Sequence, residues 1–371
     1  MYARRLNSMQ MPNSTKQKMN LVVLTPGFAA DENDTTNIPS LQLYLKNLKS
    51  NYPTIQIEII TFHYPIKKGG YIWNGINVIA MGGHKTKIGL ISIWFSVLVE
   101  LFRLKRKSGI DVVHAFWLID TALIGLLFRL FTRTPLVVTA MGQDVKKENG
   151  YLKLLRIFKT ELIFLSQFQA EFNHGLSLHR DFKIIPFGVD PTFYNLPPKK
   201  RSTDILGVGS LNNIKNYRDF LEIVRGVALV IPELRCRIIG EGTERPNLEK
   251  LISQYRLERT ITLVGEIAFE KVAQEMKTCK ILLHTSLFEG QGLIFTEAIA
   301  SGAYVVSYPV GIAKKLKSKK IFTGETKKGL CSRLVVILQK KEPDYSPEIL
   351  FTINNSCSQY NNIYTNLALR K

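Results

Sequence analysis

This 371-residue chain is predicted to form an α/β protein of two parallel-sheet domains facing a common cleft. Three observations lead there. Short β-branched or aliphatic runs bounded by turn residues recur at helix-length separations, the rhythm of a parallel sheet. The series occurs twice and is interrupted once by a proline-rich, charged connection. The length and the 45% hydrophobic content suit two cores of about 150 residues each better than one.

The first series runs at 21–25, 56–61, 111–115, 136–140 and 162–166, and the second at 204–208, 235–239, 260–264, 281–284 and 303–307. Between them, Asp190-Pro-Thr-Phe-Tyr-Asn-Leu-Pro-Pro-Lys-Lys-Arg201 reads as an exposed linker. Residues 1–19 are expected to be a disordered extension, residues 20–195 the first domain and residues 196–344 the second. Ile349, Leu350 and Ile353 have helical spacing and need a partner surface, so residues 345–371 are expected to cross back and complete the first domain.

Four cysteines at 236, 279, 331 and 357 lie far apart and have neither zinc-site nor disulfide-scaffold spacing. They read as reduced thiols. Arg4, Arg5, Lys16 and Lys18 are followed by no apolar stretch of the signal-peptide kind, so a cytoplasmic protein is expected. The apolar run 88–102 is shorter than the roughly 18–20 residues of a membrane span and is broken by Glu100. It reads as a helix packed on a sheet, or as an amphipathic patch whose basic end, with Arg103, Lys105, Arg106 and Lys107, touches an anionic membrane surface on its inner face.

The net charge of +20 is spread over the chain, with 23 basic and 13 acidic residues in 1–195 and 27 and 17 in 196–371. Such a field favours polyanions. Neither zinc-finger spacing nor an RNP-like aromatic strand is present, so nucleic acid is not the expected partner. The six histidines show no repeated ligand spacing, and no metal or other cofactor is expected.

Ligands of open parallel sheets sit at the carboxyl ends of the strands. Gly207-Val-Gly-Ser-Leu-Asn-Asn-Ile-Lys-Asn216 follows the first strand of the second series. It lacks the third glycine of a dinucleotide fingerprint, but Gly209 permits a tight turn and places Ser210 and Lys215 near a helix start, where amides and an ammonium hold phosphate. Gly240 lies in a second Gly-x-Gly turn, and Glu266 and Ile267 follow a strand end suited to pass a nucleobase. In Ser286-Leu-Phe-Glu-Gly-Gln-Gly-Leu-Ile-Phe-Thr-Glu-Ala-Ile-Ala-Ser-Gly302, Glu289 precedes a turn and Glu297 falls within a helix expected over 293–300. The amides of Gly290, Gln291, Gly292 and Leu293 are placed for a phosphate, and the two carboxylates for hydroxyls.

This carboxylate pair resembles the Glu-x7-Glu motif of family-4-type retaining glycosyltransferases, the glycosyl transferases of group 1 with the GT-B fold. Four further blocks agree in order: Gly207 to Asn216, Ile238 to Arg245, Val264 to Ile267 and Ile185 to Asp190. The resemblance implies transfer of a sugar, with retention, from a nucleotide-diphosphate donor to a glycan or lipid-linked acceptor of a cell-surface polysaccharide or glycolipid. It assigns Lys215 to the donor diphosphate, Glu289 to hydroxyls of the transferred sugar and Glu297 to the ribose, with Lys215 and Glu289 at opposite ends of one donor. Ser210 stands where many members carry arginine.

In the first half, Asp111-Val-Val-His-Ala-Phe116 resembles the family's His-x-His strand end with Phe116 in place of the second histidine, and Thr139-Ala-Met-Gly-Gln-Asp144 has Met141 for another. Gly27, Asp31, His114 and Asp144 are the acceptor-side candidates. A sugar-nucleotide epimerase of related build, and a polyanion-binding protein without catalysis, are the rival readings.

Overall fold

A computed structural model describes residues 18–83, 86–152, 160–172, 181–194 and 200–370. Most of the expected extension, and residues 195–199 of the expected linker, lie outside the described residues. The first sheet holds β1 (Met19–Gly27), β2 (Ile55–Tyr64), β3 (Gly69–Trp73), β4 (Ile76–Ala80), β5 (Val112–Phe116), β6 (Leu136–Thr139), β7 (Glu161–Phe164) and β8 (Phe182–Ile184), in the order β3-β4-β2-β1-β5-β6-β7-β8. Every neighbouring pair is parallel except β3 with β4. The second sheet holds β9 (Thr203–Val208), β10 (Cys236–Ile239), β11 (Ile261–Gly265), β12 (Cys279–His284), β13 (Tyr304–Ser307) and β14 (Ile321–Thr323), all parallel, in the order β11-β10-β9-β12-β13-β14.

Each of the ten expected runs overlaps one of these strands. Four strands escaped the rhythm. The β3–β4 hairpin turns on Asn74-Gly75, both at positive φ of 44° and 70°, the backbone that a two-residue hairpin requires and that Asn-Gly supplies. β8 and β14 span three residues each, too short for a periodic signal.

Helices cover the sheets. On the first lie α1 (Pro39–Asn51), α2 (Lys87–Ser108), α3 (Asp120–Thr132) and the short α4 (Gln167–Phe172). α2 is capped by the Thr86 hydroxyl, which accepts from the Gly89 amide at 3.1 Å. Its inner row, Ile93, Val97, Leu101 and Leu104, is buried with Val22, Leu24 and Ile60 of the sheet. Each such side chain contributes about 1.5–3 kcal/mol by leaving water. Among the described residues no helix is long and apolar enough to cross a membrane. The second sheet carries α5 (Tyr217–Ala228), α6 (Arg245–Gln254), α7 (Phe269–Thr278), α8 (Leu293–Ala300) and α9 (Lys327–Leu338).

The last helix, α10 (Ile353–Ala368), buries Ile353, Cys357, Tyr360, Ile363 and Tyr364 in the core of the first domain with Tyr44, Leu45 and Phe116. It starts later than the apolar spacing suggested. Ile349 and Leu350 are not helical, and Leu350 and Phe351 pack on the second domain, where the Glu348 amide donates to the Ile299 carbonyl at 3.2 Å. The chain then crosses back at Val189, which exchanges backbone bonds of 2.9 Å with Phe351 and Ile353. Gly188 is required at this crossing, since a Cβ there would overlap the Thr352 backbone.

Candidate active site

β9 and β12 are parallel neighbours, so the loops leaving their carboxyl ends emerge side by side. Backbone and hydroxyl groups lace these loops together. The Leu287 amide donates to the Ile214 carbonyl at 2.8 Å, and the Thr285 hydroxyl donates to the carbonyls of Lys215 at 3.1 Å and Asn216 at 3.0 Å. The Asn212 side-chain oxygen accepts from the amides of Ile214 and Lys215, shaping the turn from within.

This lacing delivers the Lys215 ammonium onto Glu289, with Nζ to Oε1 at 2.5 Å. His284, the last residue of β12, reaches the same oxygen with Nε2 at 2.9 Å. Glu289 Oε2 accepts no hydrogen bond among the described residues, so one oxygen is committed to the protein and the other is available to a ligand hydroxyl. Burial opposes ionisation of Glu289, but Lys215 and His284 together outweigh it and hold the carboxyl well below its ordinary range. Burial also pushes His284 below its ordinary value against the pull of Glu289, so the imidazole is neutral and donates through Nε2–H. The result is a half-buried, ionised carboxylate with an ammonium beside it.

The sequence reading separated Lys215 and Glu289 along one donor; here they are hydrogen-bonded to each other, because adjacent strands bring their loops within one side chain's reach. His284 was overlooked. Its signal was in the sequence: it ends the aliphatic run read at 281–284, five residues before Glu289.

Glu297 lies in α8, 7% exposed, and its carboxylate accepts no hydrogen bond among the described residues. Burial alone pushes it up to about 7. The carboxyl therefore favours folding most fully below its ordinary value of 4.5, and this contribution is lost as pH rises through about 7. Glu289, with a depressed value, is already ionised throughout that interval. Glu297→Gln is accordingly expected to gain stability relative to the parent between pH 5 and pH 8, by on the order of 3 kcal/mol, read as diverging melting curves. Parallel pH profiles for the two proteins would rule out a buried, neutral Glu297.

The other donor-side candidates divide. Gly209, at φ 145°, ends the β9 strand against the Lys215 side chain, and Gly240 lies so close to it that a Cβ would overlap the Gly209 carbonyl. Ser210 and Glu266 are exposed and Ile267 is half-buried along the same edge. Gly292, at φ 80°, opens α8, and the first-turn amides of Leu293 and Ile294 have no acceptor among the described residues. Gly290 and Gln291 also make contacts across the domains. The Gly290 carbonyl accepts from the Ser166 hydroxyl, and the Gln291 amide binds the Phe187 backbone through Oε1 at 2.9 Å and Nε2 at 2.6 Å. They dock the second domain onto the first.

On the acceptor side the structure corrects two expectations, those for His114 and Asp144. His114 is fully buried, with Nδ1 at 2.6 Å from the Tyr364 hydroxyl and Nε2 at 2.8 Å from the Thr139 hydroxyl. Burial pushes it down to about 3. It is a satisfied core residue under α10 and faces no ligand. Asp144 is also buried, and its carboxylate accepts the amides of Leu118, Met141 and Gly142 at 2.7–3.1 Å, which ties the loops after β5 and β6 together. Asp31 accepts the amides of Asn33 and Asp34, and so orders its own loop. Gly27 ends β1, buried, with its carbonyl accepting from Thr25 at 2.8 Å. Among the described residues no group of three or more histidines, cysteines or carboxylates has the arrangement of a metal site.

Residues 192–325 match the family described as glycosyl transferases group 1. The phosphatidylinositol N-acetylglucosaminyltransferase gpi3 subunit of Schizosaccharomyces pombe is 27% identical over 131 residues, 34% of this chain and 29% of that protein. The chain spans under a third of the length of the first curated relatives it matches. Among solved structures, a sucrose-phosphate synthase from Thermosynechococcus elongatus superposes with a TM-score of 0.73 at 15% identity, over 95% of this chain and all of that one. Anabaena HepE in complex with UDP and glucose gives 0.66 at 16% identity, over 95% and 98% of the two chains. The two parallel sheets and these superpositions give the chain a GT-B fold, and residues 192–325 of its second domain, which carry Glu289 and Glu297, are similar to the glycosyl transferases group 1 family.

Proposed function

We propose that this protein transfers a hexose from a nucleotide-diphosphate sugar, with UDP as the nucleotide, to an acceptor hydroxyl with retention of configuration, in the synthesis of a glycolipid or cell-surface polysaccharide. The observation that carries this reading is the half-buried Glu289 carboxylate with one oxygen held by Lys215 and His284 and the other without a partner among the described residues. An arriving diphosphate competes with Glu289 for the Lys215 ammonium, and the open first turn of α8 offers amides to the negative charge that grows on the leaving nucleotide. The released Glu289 oxygens accept hydroxyls of the transferred sugar, and Glu297 accepts those of the ribose. UDP in the HepE complex supports the choice of nucleotide. The first test is stabilisation of the protein by UDP, about 2.7 kcal/mol at 100 times the dissociation constant; an unchanged melting temperature at saturating UDP and UDP-sugars counts against the reading.

The same proposal places the enzyme peripherally on an anionic membrane surface. α2 is apolar on both sides, and only its inner row is buried. Its outer row, Ile88, Ile91, Phe95 and Val99, is 50–83% exposed and leads to Phe131 at the end of α3, 74% exposed. Exposed Arg103, Arg106, Lys107 and Arg133 flank this stripe. Apolar side chains beside cations suit the boundary between headgroups and acyl chains. Co-sedimentation with phosphatidylglycerol vesicles but not phosphatidylcholine vesicles, weakened by salt and by Phe95→Glu, is the expected result. Equal binding to both lipids, or none, removes the membrane from the proposal.

A further inference from the structure

A cavity of about 820 Å³ lies apart from Glu289, Lys215 and Glu297. It opens between the domains and is walled by the loops after β6 and β13, by α4 and by the crossing segment. Its size falls within the roughly 300–1,000 Å³ of small-molecule sites. Two kinds of surface meet in it. Phe168, Phe172, Leu316 and Phe351 form an apolar wall. Four lysines, 146, 147, 314 and 315, stand around it with only Glu148 and Glu171 to offset them.

These lysines are not all occupied by the protein. Lys315 pairs with Glu171 at 2.9 Å, and Lys146 donates to Gln143 while lying 5.1 Å over the Phe288 ring. Exposed Lys147 and Lys314 make no hydrogen bond or ion pair among the described residues. The aromatic wall is built, not incidental: Phe168 and Phe172 pack on each other and on Phe288, at centroid distances of 5.1–5.9 Å. Gly311, which also lines the cavity, is so close to the site turn that a Cβ on it would overlap the Gln291 carbonyl and crowd the Glu289 Cβ. The cavity therefore leans on the turn that carries the site carboxylate, yet is separate from it.

We infer that this cavity binds an amphiphilic anion, a phosphate ester carrying a hydrocarbon chain. A free inorganic anion would leave the aromatic wall in water, and a neutral chain would leave Lys147 and Lys314 unpaired. Only a molecule with both parts uses both surfaces, the chain along Phe168, Phe172 and Leu316 and the phosphate at Lys147 and Lys314. The binding site stands apart from the transfer reading; only its use by an acceptor rests on it, and that use would select a lipid-linked acceptor over a free glycan.

The test is calorimetric titration of the full chain with decyl phosphate below its micelle concentration, beside decanol and inorganic phosphate. Decyl phosphate is expected to bind, and each of the other two at least about tenfold more weakly, because each lacks one of the two contacts. Lys147→Glu with Lys314→Glu, at exposed positions that leave the fold intact, should weaken decyl phosphate by about tenfold or more while UDP binding stays parental. Phe172→Ala should weaken decyl phosphate and leave inorganic phosphate unchanged. Decyl phosphate should also bind Lys215→Ala and the UDP-saturated protein as it binds the parent. Displacement by UDP, loss in Lys215→Ala, or insensitivity to the lysine and phenylalanine variants would each overturn the inference. Failure of UDP to bind at all would instead strike the transfer reading and leave the cavity untouched.

Discussion

Lys215→Ala is expected to weaken UDP binding by about tenfold to a hundredfold, the loss of one charge-assisted contact to diphosphate, and to lower transfer at least as much because the leaving group gains charge. The ion pair adds a second consequence. Glu289 is half-buried, and Lys215 is its principal counter-charge at 2.5 Å. With the ammonium gone, a partly desolvated carboxylate keeps only His284, and the variant should be destabilised by about 1–3 kcal/mol at neutral pH. The depressed Glu289 contributes stability above its ordinary value of 4.5 and loses it as pH falls through and below that value. The difference between parent and variant should therefore shrink on acidification.

Glu289→Gln behaves differently. It keeps the shape and frees Lys215, so UDP should bind as tightly as to the parent or more tightly, while UDP release from a panel of UDP-hexoses falls by about 10² or more. Parental UDP affinity in Lys215→Ala places the phosphate elsewhere. Parental turnover in Glu289→Gln makes the carboxylate structural and withdraws the main support for catalysis.

Removal of residues 346–371 is expected to unfold the first domain. α10 contributes Ile353, Cys357, Tyr360, Ile363 and Tyr364 to that core, a loss on the order of 10 kcal/mol, comparable with the whole stability of a typical domain. The loss is also polar. The Tyr364 hydroxyl joins the Tyr44 hydroxyl at 2.7 Å and His114 at 2.6 Å, and both partners would be left without it. Tyr364→Phe separates the two effects, since it keeps the packing and removes only the hydroxyl, at a cost of about 1–3 kcal/mol. Tyr360→Ala should cost about 3–5 kcal/mol through the cavity it leaves. Thermal scans by circular dichroism provide the readout. A truncated protein that melts at the parental midpoint and still binds UDP would falsify the assignment of α10 to the first core.

Composition and local pattern determined the architecture of this protein. The alternation of aliphatic runs with helix-length segments depends on near neighbours alone, so both series of strands and the helix over Leu293–Ala300 could be read directly. Short pieces could not: β8 and β14 span three residues each, too few for any periodicity to record. The site was legible as residue types and spacings. What each residue does was not, because it depends on which loops are neighbours. The adjacency of β9 and β12 put Lys215 and His284 on one oxygen of Glu289, and the docking of the domains committed Gln291 to Phe187. The return of α10 turned His114 from a strand-end candidate into a buried hydrogen-bonded core residue. Spacing along a chain says which groups can be near one another; burial and strand order, which arise only when distant segments pack, decide which of them are ionised, paired or open to a ligand.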